Sequence, residues 1–203
     1  MEPKRIKMKT VVSILSLFVV FGTFAQNVEF TKDNFKDKKD GLKEAVKNIE
    51  AGDEYFEGNP VMWKEAIPMY LKANDFNPNN AMLNFKLGAC YLQSLERNKA
   101  LGHLEKAYQL NPSVEARLNY YLGQAYHLKY DFDEAIRFYS KYQAAVINNP
   151  DPWYKKDLDM RIQQCFNGKK IIENPVRVFI DNLGGSINTK YREYGAVISA
   201  DES

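Results

Sequence analysis

The chain has 203 residues, with 28 Lys and Arg against 26 Asp and Glu, and 45% of its residues are hydrophobic. Lys4, Arg5, Lys7 and Lys9 fall in the first 25 positions beside a single acidic residue. The remainder therefore carries 24 basic against 25 acidic groups, which gives no basis for nucleic-acid or anionic-membrane binding. Two histidines and two cysteines are too few at ligand spacing for a zinc site, and a Ser-His-Asp or Cys-His arrangement would have to be built on His103 or His127.

In chain order, residues 1–25 read as a secretory signal peptide. A basic head precedes an apolar run from Val11 to Phe21, closed by Thr23, Phe24 and Ala25, and cleavage is expected between Ala25 and Gln26. The run is shorter than the roughly 20 apolar residues of a membrane-spanning helix, so no span is expected after cleavage. Residues 26–40 are rich in Lys and Asp and predict a flexible polar lead-in, with Phe30 and Phe35 anchoring it to the first helix. That helix is expected from Gly41 to Phe56, with Leu42, Ala45, Ile49 and Phe56 as its apolar stripe. A second follows from Val61 to Phe76, and Asn77-Pro78-Asn79-Asn80 both stops it and caps its successor. Ala81 to Asn111 and Glu115 to Asn149 repeat the same plan. A last helix from Trp153 to Phe166 is expected to stop at Asn167-Gly168, with Leu158 and Ile162 facing inward and Lys155, Lys156, Asp157 and Asp159 in water. Beyond it, Val176 to Ile180 alternates like a strand and Asp181 to Gly185 like a turn. One strand pair cannot bury itself, so the sequence is expected to end inside a further domain.

Three stretches share one pattern. Ala66, Tyr70, Ala73 and Pro78 match Ala100, Leu104, Ala107 and Pro112 at a shift of 34, and Ala135 and Tyr139 follow after a further 35. Upstream, Leu87, Gly88 and Tyr91 recur as Leu122, Gly123 and Tyr126, and Ala51, Gly52 and Tyr55 open the first unit. These residues resemble the tetratricopeptide repeat (TPR), which places Leu-Gly and Tyr on helix A, Ala and an aromatic on helix B, then Pro. The resemblance implies an all-α, right-handed superhelix of three helix-turn-helix repeats, at about 41–78, 79–112 and 113–149. A capping helix at 151–168 and an extended tail at 169–203 complete the expected plan. Glycine on helix A and alanine on helix B let the pair approach closely, and the larger residue four positions on fills the space beside them. The first repeat departs from the pattern, since Gly52 to Ala66 spans 14 residues where Gly88 to Ala100 spans 12. Cys90 and Cys165, about two repeats apart, exceed disulfide reach and are expected as small buried hydrophobes.

The tail carries a second resemblance. Asn182-Leu183-Gly184, Ile187-Asn188, Tyr194 and Ile198 to Glu202 look like the start of a WD40-like β-propeller. A secreted TPR region followed by such a propeller resembles the OmpA-family envelope proteins of Gram-negative bacteria, whose C-terminal domain binds peptidoglycan. This implies a periplasmic, outer-membrane-associated scaffold, linked to peptidoglycan only through a domain absent from this chain and serving secretion or envelope assembly. A free periplasmic adaptor and a regulatory module of an exported enzyme are the alternatives.

No catalytic constellation, metal site or cofactor motif is visible. Gly184-Gly185 lacks the Lys and helix of a phosphate loop, and Asp131-Phe132-Asp133-Glu134 lacks the Gly and distal Glu of a calcium loop and reads as a helix cap. The TPR resemblance implies instead a concave groove for a peptide or partner helix. Counted from the Leu-Gly pairs, it should be lined by Ile49, Asp53 and Phe56, then Phe85, Lys86, Ala89, Leu92 and Gln93, then Arg117, Tyr120, Gln124 and His127. Its aromatics are also compatible with plain packing between repeats, which is the favoured reading of any single one. A chaperone-tail carboxylate clamp is disfavoured, because its positions hold Ile49, Asp53, Lys86, Arg117 and Tyr121 and only Arg117 keeps a suitable charge.

Overall fold

The structure, a computed structural model, describes residues 26–148 and 152–175. The expected signal peptide and the strand expected from Val176 lie outside the described residues. Among the described residues every regular element is helical: α1 (Lys39–Phe56), α2 (Trp63–Phe76), α3 (Ala81–Leu92), a 3-10 turn (Arg97–Lys99), α4 (Ala100–Leu110), α5 (Leu118–Leu128), α6 (Phe132–Ala145) and α7 (Pro152–Glu173). Helices α1 and α2, α3 and α4, and α5 and α6 pack as pairs, and the pairs stack through α2 on α3, α4 on α5 and α6 on α7. This is the expected TPR-like stack. None of these helices is long and apolar enough to cross a membrane.

The repeating residues act as the spacing required. A Cβ on Gly52 would lie 2.5 Å from Tyr70, one on Gly88 2.6 Å from Leu104 Cδ2, and one on Gly123 2.5 Å from Tyr139. Tyr70, Leu104 and Tyr139 are all fully buried, as are Ala66, Ala100 and Ala135 one turn before them. The two extra residues of the first repeat are therefore taken up in the 57–62 turn, and the Gly52–Tyr70 contact survives. Each such large side chain contributes on the order of 2 kcal/mol of burial. The core runs through α1–α6, and a second cluster of Phe132, Ala135, Tyr139, Tyr142, Leu158 and Cys165 joins α6 to α7. Cys90 and Cys165 are free and fully buried, and burial pushes the Cys90 thiol up to about 12.

Three expectations are corrected. The lead-in is not a flexible tether held by the first helix alone: Phe30 borders α1 beside Leu42 and Val46, and the segment also docks on the end of α2 and the α2–α3 turn, where Phe35 and Phe30 lie 4.8 and 6.4 Å from the Phe76 ring. Val28 N donates to Asn79 O at 2.7 Å, and Val28 O accepts from Asn77 and Asn80, whose side chains are buried. Asn80 also caps α3, its Oδ1 accepting from Leu83 N at 2.9 Å. Second, α7 does not stop at Asn167-Gly168 but continues to Glu173, so residues 169–173 are helical and not extended tail. Gly168 is there for close approach, since a Cβ would overlap the Phe132 ring. Third, Asp157 is not in water but 8% exposed, held by Arg161 and Tyr120.

Helix α5 ends in a tight reversal in which Tyr130 N donates to His127 O and Asp131 N to Tyr126 O. Tyr130 thereby occupies the left-handed position where glycine is preferred, with φ 61°. Its side chain is 73% exposed. Tyr130→Gly removes the Cβ strain and little packing, so it should raise the urea midpoint, by about 1 kcal/mol at most; an unchanged or lower midpoint would mean that the Tyr130 ring, 6.2 Å from Phe132, matters more than the backbone. Next to it, Asp131 caps α6 through Glu134 N at 3.3 Å, as its position in the turn implies.

Candidate functional site

The first helices of each pair, α1, α3 and α5, run side by side, and the twelve residues expected to line their shared face divide into three groups. Phe85 and Ala89 are 1% exposed and do not line a groove, while Ile49, partly buried, packs against the core. The reason lies in α3, which is covered by both neighbouring pairs: the Phe85 ring meets Tyr121 of α5 at 5.6 Å.

A second group is committed to links between helices. Lys86 Nζ lies 2.6 Å from Asp53 and 5.7 Å from the centre of the Phe56 ring, and Asp53 also accepts from Tyr70 OH at 2.6 Å. Lys86 thus neutralises a carboxylate that Tyr70 brings close to the core, and its own side chain is 14% exposed. Tyr120 donates to Asp157 at 2.8 Å, and the Arg161 guanidinium lies over its ring at 5.3 Å. Burial and the Asp157 contact together push the Tyr120 phenol up to about 12. Tyr120 is therefore a strut between α5 and α7. Arg117 differs from these: it pairs with Glu115, two residues earlier in the turn before α5, at 3.1 Å, and its side chain stays 49% exposed.

The third group comes together. Leu92, Gln93, Gln124 and His127 line one cavity of about 360 Å³ at the C-terminal ends of α3 and α5. Four residues that sequence reasoning missed complete it: Arg97, Leu128, Tyr139 and Arg161. Arg97 belongs to the 3-10 turn between α3 and α4, outside any count made from a helical Leu-Gly pair. The i, i+4 spacing of Asp157 and Arg161 was the available sign that this stretch of α7 is ordered by charge.

Neither histidine has a catalytic partner set. Asn84 donates through Nδ2 to Pro78 O and Asn80 O, so its Oδ1 faces His103 Nδ1 at 3.1 Å and makes that nitrogen the donor. The His103 ring stacks on Tyr91 at 5.5 Å, while His127 meets Phe132 edge-on at 5.6 Å. Burial lowers both pKa values, helped by Lys106 and Lys99 at His103 and by Arg161 at His127. The native state therefore binds fewer protons than the unfolded chain just below the ordinary value of about 6.5. Stability should be full above that value and decline as the pH falls through the lowered native values. Urea midpoints at pH 7.5 and 5.5 test this: the second should be lower, and the His103→Gln/His127→Gln double variant should flatten the difference. Among the described residues no group of His, Cys, Asp and Glu could hold a metal ion.

No protein-family model matches the chain. BBSome complex member BBS4 from Bos taurus is 36% identical over 107 residues, which are 52% of this chain and 19% of that relative; the chain thus corresponds to a minor part of the curated relative it matches. Among solved structures, the crystal structure of MamA protein aligns with a TM-score of 0.48 at 17% identity, covering 73% of this chain and 86% of that one.

Proposed function

We propose that this chain is a non-catalytic interaction scaffold of the cell envelope that receives a partner protein or peptide on the face formed by α3, α5 and α7. The observation that carries the reading is the cavity at the ends of α3 and α5, where side chains from four helices and a turn converge. A TPR-like stack consumes its apolar surfaces in repeat-to-repeat contacts and presents what remains as an extended recognition surface. The relative that is a member of a protein complex supports binding to protein. Export rests on residues 1–25, and the peptidoglycan-linked, OmpA-like setting rests on the resemblance of residues 182–202.

Photo-crosslinking residues placed at Gln93 and Gln124 should yield adducts in cells, while the same residue at Gly102, an open position on α4 with nothing within 4 Å of an added Cβ, should not. Adducts only from Gly102, or none at all, would reject this face as the contact. The export half is tested separately by recovering the chain from envelope fractions and determining its first residue. Gln26 is expected, and an intact Met1 end in the cytosol would reject it.

A further inference from the structure

We infer that the cavity between α3, α5 and α7 selects acidic peptides: it takes one Asp or Glu side chain, while an apolar side chain of the same peptide lies on Leu128. This rests on the scaffold reading above and names the chemistry of its partner.

Charge is the first argument. The cavity wall contains two guanidinium groups, Arg97 and Arg161, and no carboxylate. Arg161 uses Nε on Asp157 at 2.8 Å, which offsets one charge but leaves Arg97 uncompensated by any lining residue. The amides of Gln93 and Gln124 add neutral donors. The negative ends of the α3 and α5 dipoles oppose an anion here. However, the last carbonyls are already occupied: Cys90 O and Tyr91 O by Gln93 N and Ser94 N, and Tyr126 O and His127 O by residues 129–131. The full charge of Arg97 outweighs what remains of those dipoles.

The second argument is an unsatisfied donor. Tyr139 is fully buried, its ring is held against Gly123, and its O–H has no acceptor, because the polar group that approaches it, the Arg161 guanidinium, is itself a donor. Leaving such a group unpaired is costly, and this one belongs to the wall of a cavity rich in donors. An entering carboxylate supplies the missing acceptor and can take a charge-assisted bond from a guanidinium at the same time.

Size and polarity fit the same occupant. About 360 Å³ is at the lower end of small-ligand cavities, enough for an acidic side chain and part of its neighbour but not for a folded element. Leu128, 47% exposed, offers apolar surface beside the polar wall. Apart from Tyr139, these groups lie at the C-terminal ends of α3 and α5, in the turn and on α7, away from the chaperone-tail clamp positions Ile49, Asp53, Lys86, Arg117 and Tyr121.

The test is selection of a random peptide library on the protein purified from cells, followed by titration of the enriched peptides against Arg97→Gln and Tyr139→Phe. Enriched sequences should carry an acidic residue beside an apolar one, their Asn or Gln counterparts should bind about tenfold more weakly, and each variant should lose about tenfold in affinity. Tyr139→Phe keeps the ring against Gly123 and removes only the orphan hydroxyl, so its urea midpoint should stay level or rise while its binding falls. A variant merely damaged in folding would move both downward. Enriched peptides that are neutral, or that bind both variants like the parent, overturn the acidic preference while leaving the scaffold reading intact. No enrichment overturns the preference, and the crosslinks at Gln93 and Gln124 then decide whether the face binds protein at all.

Discussion

Gly88→Val should lower the stability of the stack by about 3 kcal/mol, at the upper end of the cost of inserting side-chain atoms into a packed core. The first added carbon already lies 2.6 Å from Leu104 Cδ2 and 3.3 Å from Ala100 O. Leu104 cannot swing away, because it is fully buried among residues of the core, and the Ala100 carbonyl is part of the α4 backbone. Helix propensity works the other way, Ala being about 1 kcal/mol better than Gly, so Gly88→Ala should cost much less than Val. The same change at Gly102, where an added Cβ meets nothing within 4 Å, should be neutral or stabilising and serves as the control. A double-mutant cycle makes the contact itself the subject. Leu104→Ala alone should cost about 2–5 kcal/mol, and adding Gly88→Ala to it should recover part of that loss by refilling the space. Additive behaviour within about 0.5 kcal/mol would show that Gly88 is not reserved for Leu104, and the packing account of the repeat would fail.

This contact also explains why so much of the fold was legible. Gly88 with Leu104 and Gly123 with Tyr139 recur at one spacing because the geometry of two crossed helices recurs, and that geometry admits few residue types. What was misread depends on contacts with no such period. Asp157 was assigned to water for its charge, yet Arg161 one turn on and Tyr120 from a different repeat make its burial affordable. Gly168 was read as a stop, but its environment is the Phe132 ring, 36 positions earlier in the chain. Phe85 and Ala89 were placed in a groove by counting along α3, and counting along one helix does not show that both sides of the middle pair are covered. The cavity was half legible for the same reason: Leu92, Gln93, Gln124 and His127 follow from helical register, whereas Arg97 and Arg161 enter from a turn and from the last helix.

The segment before α1 gives the second large effect. A chain beginning at Lys38 should lose about 3–4 kcal/mol relative to one beginning at Gln26. Two half-buried phenylalanines leave the Phe76 ring, each contributing roughly 1 kcal/mol. Five hydrogen bonds go with them: Ala81 N to Asn27 Oδ1 at 2.8 Å, Val28 N to Asn79 O at 2.7 Å, the Asn77 and Asn80 amides to Val28 O at 2.8 and 3.1 Å, and the Asn80 amide to Glu29 Oε2 at 3.0 Å. Each is worth about 0.5–1.5 kcal/mol net when formed, but ordering the segment offsets much of that gain, so the sum stays near the figure given. A polar tether would predict the opposite, that residues 26–37 can be removed without consequence. Hydrogen exchange separates the two readings without a truncation, because the Ala81 amide accompanies the core only if Asn27 stays bound to it. Rapid exchange at Ala81 together with an unchanged urea midpoint after truncation would return the segment to the status of a linker. If instead both changes appear, Asn77 and Asn80 are the residues that join it to the repeats, and Asn80→Ala should then lose the α3 cap and one contact to Val28 together.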